Sequence, residues 1–445
     1  MESSEVYDHM APKLTGKKEG TFAYLTVRDR WPKIVTKLVD QLTCRRKEYA
    51  EMFGEEAEDD IKSILEKFSE VRYRIMTDKP LVYLTGGRGG WDQYLTENMT
   101  SDLTNPDEIT EKLTWFNGPW LLVECYLYQF IYNAFAVTRH LKEVDYFEDS
   151  KRTNFNDHLP QIEEASRFLL KITAENAPVH ELFGIGTILK MSLWGNRADM
   201  SLTGGDNNTL KMSAMVASQT LSDFVLVDDI ADLTAKVLAP LLTNKSKSRR
   251  MDIVLDNAGV ELTGDLVLAE FMICRGFADS VVLHGKNIPW FVSDVTQRDF
   301  EWTLSSLERA GEQSKKLGER LKERVANGQI RFECHRFWTS PHATYKMKTD
   351  SPDLYADFET SSLAIFKGDL NYRKLIGDRD WDLDTSFEKA CRGFAPCPFF
   401  ALRTLKAETV AGLSKEAVRT ILEKFDEDNS WMTSGEYAVC QLGGI

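Results

Sequence analysis

Between Thr21 and Leu193 the apolar positions recur at helical spacing. Over residues 30–47 they fall at Trp31, Ile34, Val35, Leu38, Val39 and Leu42, and Pro32 sits in the first turn, where a helix tolerates it. Residues 60–74 repeat the pattern with Ile61, Ile64, Leu65, Phe68 and Val71. Gly118-Pro119 then opens a long apolar run over 120–137. That run carries Glu124, Gln129 and Asn133, so it predicts a buried helix and not a span of the ~20 apolar residues a bilayer requires. Helical spacing continues over 160–173 and 181–194.

From Asp252 the pattern changes. Short β-rich runs at 252–255, 280–284, 330–337, 363–367 and 399–402 alternate with helical stretches. Strand–helix alternation predicts an α/β fold with a mostly parallel sheet. The expected organisation is a helical N-terminal domain over residues 1–195 and an α/β catalytic domain over 196–445.

In an open parallel sheet, ligands bind beyond the carboxyl ends of the strands. The residues just past these runs are polar: Asp256-Asn257, then Asp294, then Asp369 with Asn371 and Arg373, then Arg403 and Lys406. Two carboxylates and an amide oxygen form a hard oxygen donor set. That suits Mg²⁺ or Mn²⁺, and the Cys/His cluster of a zinc site is missing. Arg373, Arg403 and Lys406 could hold phosphate oxygens, and the helix after Asn257 would add its positive end. An Asp-Asn pair after a strand is also a common turn and helix-capping device. Their joint position at successive strand ends is what favours a site.

Charge sharpens this. Lys and Arg total 55 against 69 Asp and Glu, a net charge of −14. Such a surface repels nucleic acid and anionic membrane, and a phosphorylated ligand needs local cations or a metal to reverse the field. The N-terminal residues lack the apolar core of a signal peptide. Seven scattered cysteines without a C-x-x-C pair suit a reducing compartment, so a cytoplasmic or nuclear protein is expected. The sequons at Asn98, Asn207 and Asn244 should then carry no sugar. Other signals fail. Asp382-Leu383-Asp384-Thr385 has its Thr one position early for an aspartyl-phosphatase start, and the glycine cluster at 86–90 lacks the Lys-Ser/Thr of a phosphate-binding loop.

Several stretches resemble one family. They are Ser192-Leu193-Trp194-Gly195-Asn196, Val254-Leu255-Asp256-Asn257 with Glu261, Ile288 to Asp294 (Ile-Pro-Trp-Phe-Val-Ser-Asp), Phe366 to Lys374 (Phe-Lys-Gly-Asp-Leu-Asn-Tyr-Arg-Lys) and Arg403-Thr404-Leu405-Lys406. Their order and content resemble the DUF89 damage-control phosphatases, and the Arg-Thr-x-Lys segment resembles that family's third subfamily. The resemblance implies a Rossmann-like α/β sheet flanked by helices, with a helical N-terminal region. It implies metal-dependent hydrolysis of small phosphometabolites such as fructose 1-phosphate and fructose 6-phosphate, with Mn²⁺, Ni²⁺, Co²⁺ or Mg²⁺ as the ion. Metal-binding and catalytic positions map to Asp256, Asn257 and Asp294. Substrate-contacting positions map to these three, to Glu261, to the segment Asp369, Leu370, Asn371, Tyr372 and Arg373, and to Arg403 and Lys406. The family's second activity, S-adenosylmethionine-dependent methylation of protein carboxylates, is the alternative, with a protein as substrate. No glycine-rich loop after an early strand supports it.

Overall fold

The computed structural model describes residues 11–84, 113–175, 182–195, 222–243, 249–426 and 428–445. The glycine cluster at 86–90, the three sequons and Asn196 lie outside the described residues. The chain forms two compact units, Lys13–Tyr146 and Phe147–Ile445, the second also taking in Ala11 and Pro12.

The first unit is helical: α1 (Trp31–Cys44), α2 (Arg46–Phe53), α3 (Ala57–Met76) and α4 (Trp120–Ala136). The apolar stripes of α1 and α3 are buried at the positions the spacing predicts, among them Trp31, Ile34, Leu38, Ile61, Phe68 and Val71. Helix α4 is buried on nearly every side, Glu124 included, and the indole of Trp31 donates to that carboxylate at 3.4 Å. No helix among the described residues is long and apolar enough to cross a membrane.

The second unit is built on a seven-stranded sheet in the order β1-β7-β6-β5-β2-β3-β4. The strands are β1 (Val225–Asp228), β2 (Arg250–Val254), β3 (Ser280–Gly285), β4 (Ile330–Cys334), β5 (Leu363–Lys367), β6 (Phe399–Thr404) and β7 (Ala438–Gly443). Strands β2 to β6 are mutually parallel; β7 runs antiparallel to β6 and carries β1 beside it. Both faces are apolar, as a parallel sheet covered by helices requires. Met251, Ile253, Leu363, Ile365, Phe400 and Leu402 join one core, and Val254, Ala364, Phe366, Phe399 and Ala401 join the other, the alternation a pleated strand dictates.

The five runs read from the sequence are strands β2 to β6. Strands β1 and β7 were not foreseen. The boundary expected at residue 195 also differs from the division into compact units. Helices α5 (Glu148–Asp157), α6 (Leu159–Ile172) and α7 (Ile185–Gly195) belong to the unit of the sheet. Their apolar residues, among them Ile162, Leu169, Ile188, Leu189 and Leu193, share one core with Leu262 and Leu266 of α8 (Val260–Cys274). Helical texture alone does not reveal which layer a helix covers.

Strand order places the site. From β2 the chain passes through α8 to β3 and onward to β4, then returns to the other side of β2 as β5. The direction of winding reverses between β2 and β5. A reversal of this kind is where an open α/β sheet forms its ligand crevice, at the carboxyl ends of the two strands.

Candidate active site

Asp256 and Asn257 follow β2 after Leu255, and Gly368 follows β5 directly. The crevice therefore has Asp256 on one wall and the start of α11 (Gly368–Ile376) on the other, reached after α9 (Gln297–Ala310) and α10 (Glu312–Ala326). The two walls touch. A Cβ placed on Gly368 would lie 1.8 Å from Asp256 Oδ2, and Gly368 has φ +79°, a conformation glycine adopts without strain. The absence of a side chain at 368 is what admits the carboxylate to the positive end of α11.

The segment after β3 supplies the third element. Asn257 and Asp294 form an antiparallel bridge, the amide of Val295 donates to the Asp256 carbonyl at 2.9 Å, and that of Ala258 to the Ser293 carbonyl at 2.8 Å. These bonds hold Asp256, Asn257 and Asp294 as neighbours. The turn is strained: Phe291 and Val292 have φ of 45° and 70°. A β-branched residue in the left-handed region costs about 1–3 kcal/mol and persists where its surroundings over-determine it. Here buried Trp290 anchors the turn, and the Asp294 amide donates back to the Trp290 carbonyl at 3.1 Å.

A dense polar network surrounds the three residues. The side-chain amide nitrogen of Asn257 donates to Asp256 Oδ2 at 3.0 Å and to Glu261 Oε2 at 2.7 Å, while Ser293 Oγ donates to Asn257 Oδ1 at 2.5 Å. Lys286, at the end of β3 and buried, lies 3.2 Å from Asp294 Oδ2 and donates to the Leu255 carbonyl at 3.1 Å. Lys367, the last residue of β5, is fully buried and donates to Glu261 at 3.0 Å. Its other neighbour, Asp265, is pushed up to about 6 by burial, against the pull of that ammonium.

A second knot joins β6 to α11. Arg403, fully buried, donates through Nε to Asp369 Oδ1 at 2.8 Å, and through its two terminal nitrogens to the carbonyls of Thr409 and Ala407. Its guanidinium also lies over the Tyr372 ring, 4.3 Å from the centroid. The Lys406 amide donates to Asp369 Oδ1 at 3.1 Å, and its side chain is buried. Asp369 thus orders the Arg403 to Lys406 segment. Arg403→Lys should cost about 1–3 kcal/mol in stability, because an ammonium cannot reproduce the fork that reaches both carbonyls. Urea denaturation of the purified variant measures this; unchanged stability would mean that the fork contributes nothing.

Residues 369–373 were expected as a ligand-lining loop. They form the first turns of α11, and a helix turns successive side chains to different sides. Asn371 donates to the carbonyls of Lys367 at 2.7 Å and Leu255 at 3.1 Å, fastening α11 to the end of β2. The Tyr372 hydroxyl donates to Gln441 Oε1 at 2.7 Å, Arg373 pairs with Asp378 at 2.7 Å, and Leu370 is buried. Asp369 remains the side chain of this segment tied to the strand-end cations. The first turn of α8 is also engaged: Asn154 on α5 accepts from the Val260 amide at 3.2 Å. His284 is a core residue, its Nε2 2.7 Å from buried Asp252.

Sequence reasoning missed Lys286, Ser293, Lys367 and Asp265. A usable signal existed for two of them. Lys367 ends an otherwise apolar strand, and Asp265 follows Glu261 by four residues, hence on the same helix face.

The arrangement suits a divalent cation. No group of three or more His, Cys, Asp or Glu that could hold a metal occurs among the described residues, and the oxygen donors brought together here are Asp256, Asp294 and the Asn257 amide. That donor set is all oxygen, provided the Asn257 amide presents its oxygen. Its nitrogen is committed to two carboxylates, which turns Oδ1 the other way. Gly368 completes the fit by having no side chain, which leaves room for the Asp256 carboxylate.

The damage-control phosphatase ARMT1-like domain matches residues 26–422. Damage-control phosphatase ARMT1 of Danio rerio is 38% identical over 438 residues, covering 96% of this chain and 96% of that protein. Its counterpart in Homo sapiens is 37% identical over 447 residues, covering 97% and 98%. A crystal structure of a DUF89 family protein from Pyrococcus horikoshii aligns over 92% of this chain and 96% of its own, at 15% identity and a TM-score of 0.39.

Proposed function

Because this chain belongs to the ARMT1-like damage-control phosphatase family, we propose that it is a metal-dependent phosphatase of small phosphorylated metabolites, with sugar phosphates such as fructose 1-phosphate and fructose 6-phosphate as substrates. The observation that carries the reading is the convergence of Asp256, Asn257 and Asp294 at the switch point between β2 and β5, with buried cations behind them.

Asp256, Asn257 and Asp294 hold the divalent ion, which is Mn²⁺, Ni²⁺, Co²⁺ or Mg²⁺. When bound, the ion supplies Lewis-acid polarisation of the phosphoryl group. The chain's own residues do the rest. The start of α11 faces the crevice with its positive end, which favours an anion there. Asp369, pinned by Arg403, fixes the backbone at Lys406 and so places the Lys406 ammonium for a phosphate oxygen. Lys406 is buried, and a charge that is partly withdrawn from water attracts a phosphate oxygen more strongly. A chain of net charge −14 needs such fixed cations to accept an anion.

A phosphate-release screen over a metabolite panel, with and without Mn²⁺, Co²⁺, Ni²⁺ and Mg²⁺, tests the reading. Metal-stimulated release from sugar phosphates is expected. No release with any ion, together with methyl transfer from S-adenosylmethionine to a protein carboxylate, would overturn it. Within the same assay, Lys406→Ala should lower kcat/KM roughly 10- to 200-fold, the value of one charge-assisted hydrogen bond to phosphate, while metal affinity stays nearly constant. Unchanged kcat/KM would remove Lys406 from the site.

A further inference from the structure

Lys367 makes three contacts. Its ammonium lies 3.0 Å from Glu261 Oε1, 2.8 Å from Asp265 Oδ1 and 2.9 Å from the Ser192 carbonyl. An ammonium has three N–H donors, so all three are used within the protein and none is left for a ligand. The residue has no exposed surface. It cannot touch substrate, and it can act only through what it holds.

What it holds leads into the site. Glu261 spends one carboxylate oxygen on Lys367 and the other on the Asn257 side-chain nitrogen, at 2.7 Å. That nitrogen has two N–H bonds, and the second goes to Asp256 Oδ2 at 3.0 Å. With both donors committed to carboxylates, the amide has one orientation, and its oxygen faces Ser293 Oγ at 2.5 Å. An Asn ligand binds a hard cation through oxygen and never through its NH₂ group. A free side-chain amide can rotate by half a turn at little cost, and that rotation would present the wrong atom. The line from Asp265 through Lys367 and Glu261 to Asn257 is what forbids it.

We propose that Lys367 is a positioning residue for metal binding: held by Asp265 and the Ser192 carbonyl, it fixes Glu261, which in turn locks the Asn257 amide so that its oxygen, with one lone pair on Ser293 Oγ and a second to offer, is the atom available to the ion. This rests on the reading of Asp256, Asn257 and Asp294 as the metal site. It gives Ser192 and Asp265 a task, although both lie outside the crevice. It also explains why a lysine ends β5 where the rest of the strand is apolar.

The test is Mn²⁺ affinity of the full chain, from the free-ion electron paramagnetic resonance signal, with circular dichroism melting of the metal-free protein alongside. Partners that orient ligands typically contribute 10- to 100-fold to metal affinity. Lys367→Met and Glu261→Gln should each weaken Mn²⁺ binding by about that factor. Their combination should be no weaker than the weaker single variant, because both act on one line. A merely structural lysine would lower the melting temperature and leave the Mn²⁺ affinity of the folded protein alone. Folded Lys367→Met with affinity within about threefold of wild type overturns the proposal, as does a double variant showing the product of the two single losses. Should Lys367→Met not fold, Glu261→Gln decides: unaltered Mn²⁺ affinity there breaks the line at its second member and overturns the proposal. Wild-type protein that binds no divalent ion overturns the functional reading itself. Wild type that binds tightly while the variants match it overturns only the role of Lys367.

Discussion

Asp256→Asn should lower kcat/KM for phosphate release by ~10³-fold or more while leaving the metal-free protein as stable as wild type, or slightly more so. The first half follows from charge. A ligand carboxylate that becomes an amide loses its negative charge and weakens the hold on an ion worth several kcal/mol of transition-state stabilisation. At about 1.4 kcal/mol per tenfold, that is roughly three decades. The second half follows from shape. The amide is the size of the carboxylate, still sits over Gly368, and still offers an oxygen to the Asn257 nitrogen that now bonds Asp256 Oδ2. It also removes one of the carboxylates gathered at 256, 261 and 294, whose mutual repulsion the metal-free protein bears. Steady-state kinetics and a thermal melt of the metal-free variant check both halves. A variant that unfolds while metal-free wild type stays folded would make Asp256 a structural cap.

Gly368→Ala should damage stability and activity together. The added Cβ would lie 1.8 Å from Asp256 Oδ2 and 2.7 Å from Asp256 Cβ, so displacing the carboxylate tip alone does not relieve the clash. Overpacking of this kind costs about 1–3 kcal/mol. The φ of +79° adds the strain of a non-glycine residue in the left-handed region, another ~1–2 kcal/mol. Either Asp256 rotates out of the crevice or α11 moves away from β2. Both spoil the ligand set, and activity should fall by at least about 100-fold, the upper range for disturbed ligand orientation. Mn²⁺ affinity and chemical denaturation measured on one preparation distinguish this from a local effect. An alanine variant with wild-type affinity would show that the crevice has room the close approach denies.

These two residues were unequally legible in the sequence. Asp256 announced itself by following an apolar run, as did Asp369, Arg403 and Lys406, because the end of a parallel strand is where the chain leaves the core. Gly368 carries no charge or pattern that marks it. Its value lies in what approaches it, and Asp256 is over a hundred residues earlier in the chain. Side-chain direction was the main loss. Arg373 has the right charge at the right strand end, yet it turns to Asp378, five residues on. Glu261 was singled out, but its link to Lys367 depends on β5 lying beside β2, which spacing does not encode. Strand β7 went unseen because it enters antiparallel at the far end of the chain, where no strand–helix alternation frames it. Strand β1 has only four residues, too few for a periodicity to show.

The pairing of β2 with β5 also has a consequence for synthesis. Met251 lies opposite Leu363 and Val254 opposite Phe366, so one edge of β2 stays unpaired until the ribosome has made more than a hundred further residues. During that interval β2, β3 and β4 can already assemble, since they follow one another in the chain. The nascent sheet then presents Ile253 and Val254 along an open edge, the kind of template that recruits other chains. Translation at ~5–20 residues per second leaves that edge exposed for several seconds. A chain stopped before Leu363 should therefore aggregate during translation instead of accumulating as a soluble fragment, and full-length yield should respond to chaperones that bind extended apolar segments.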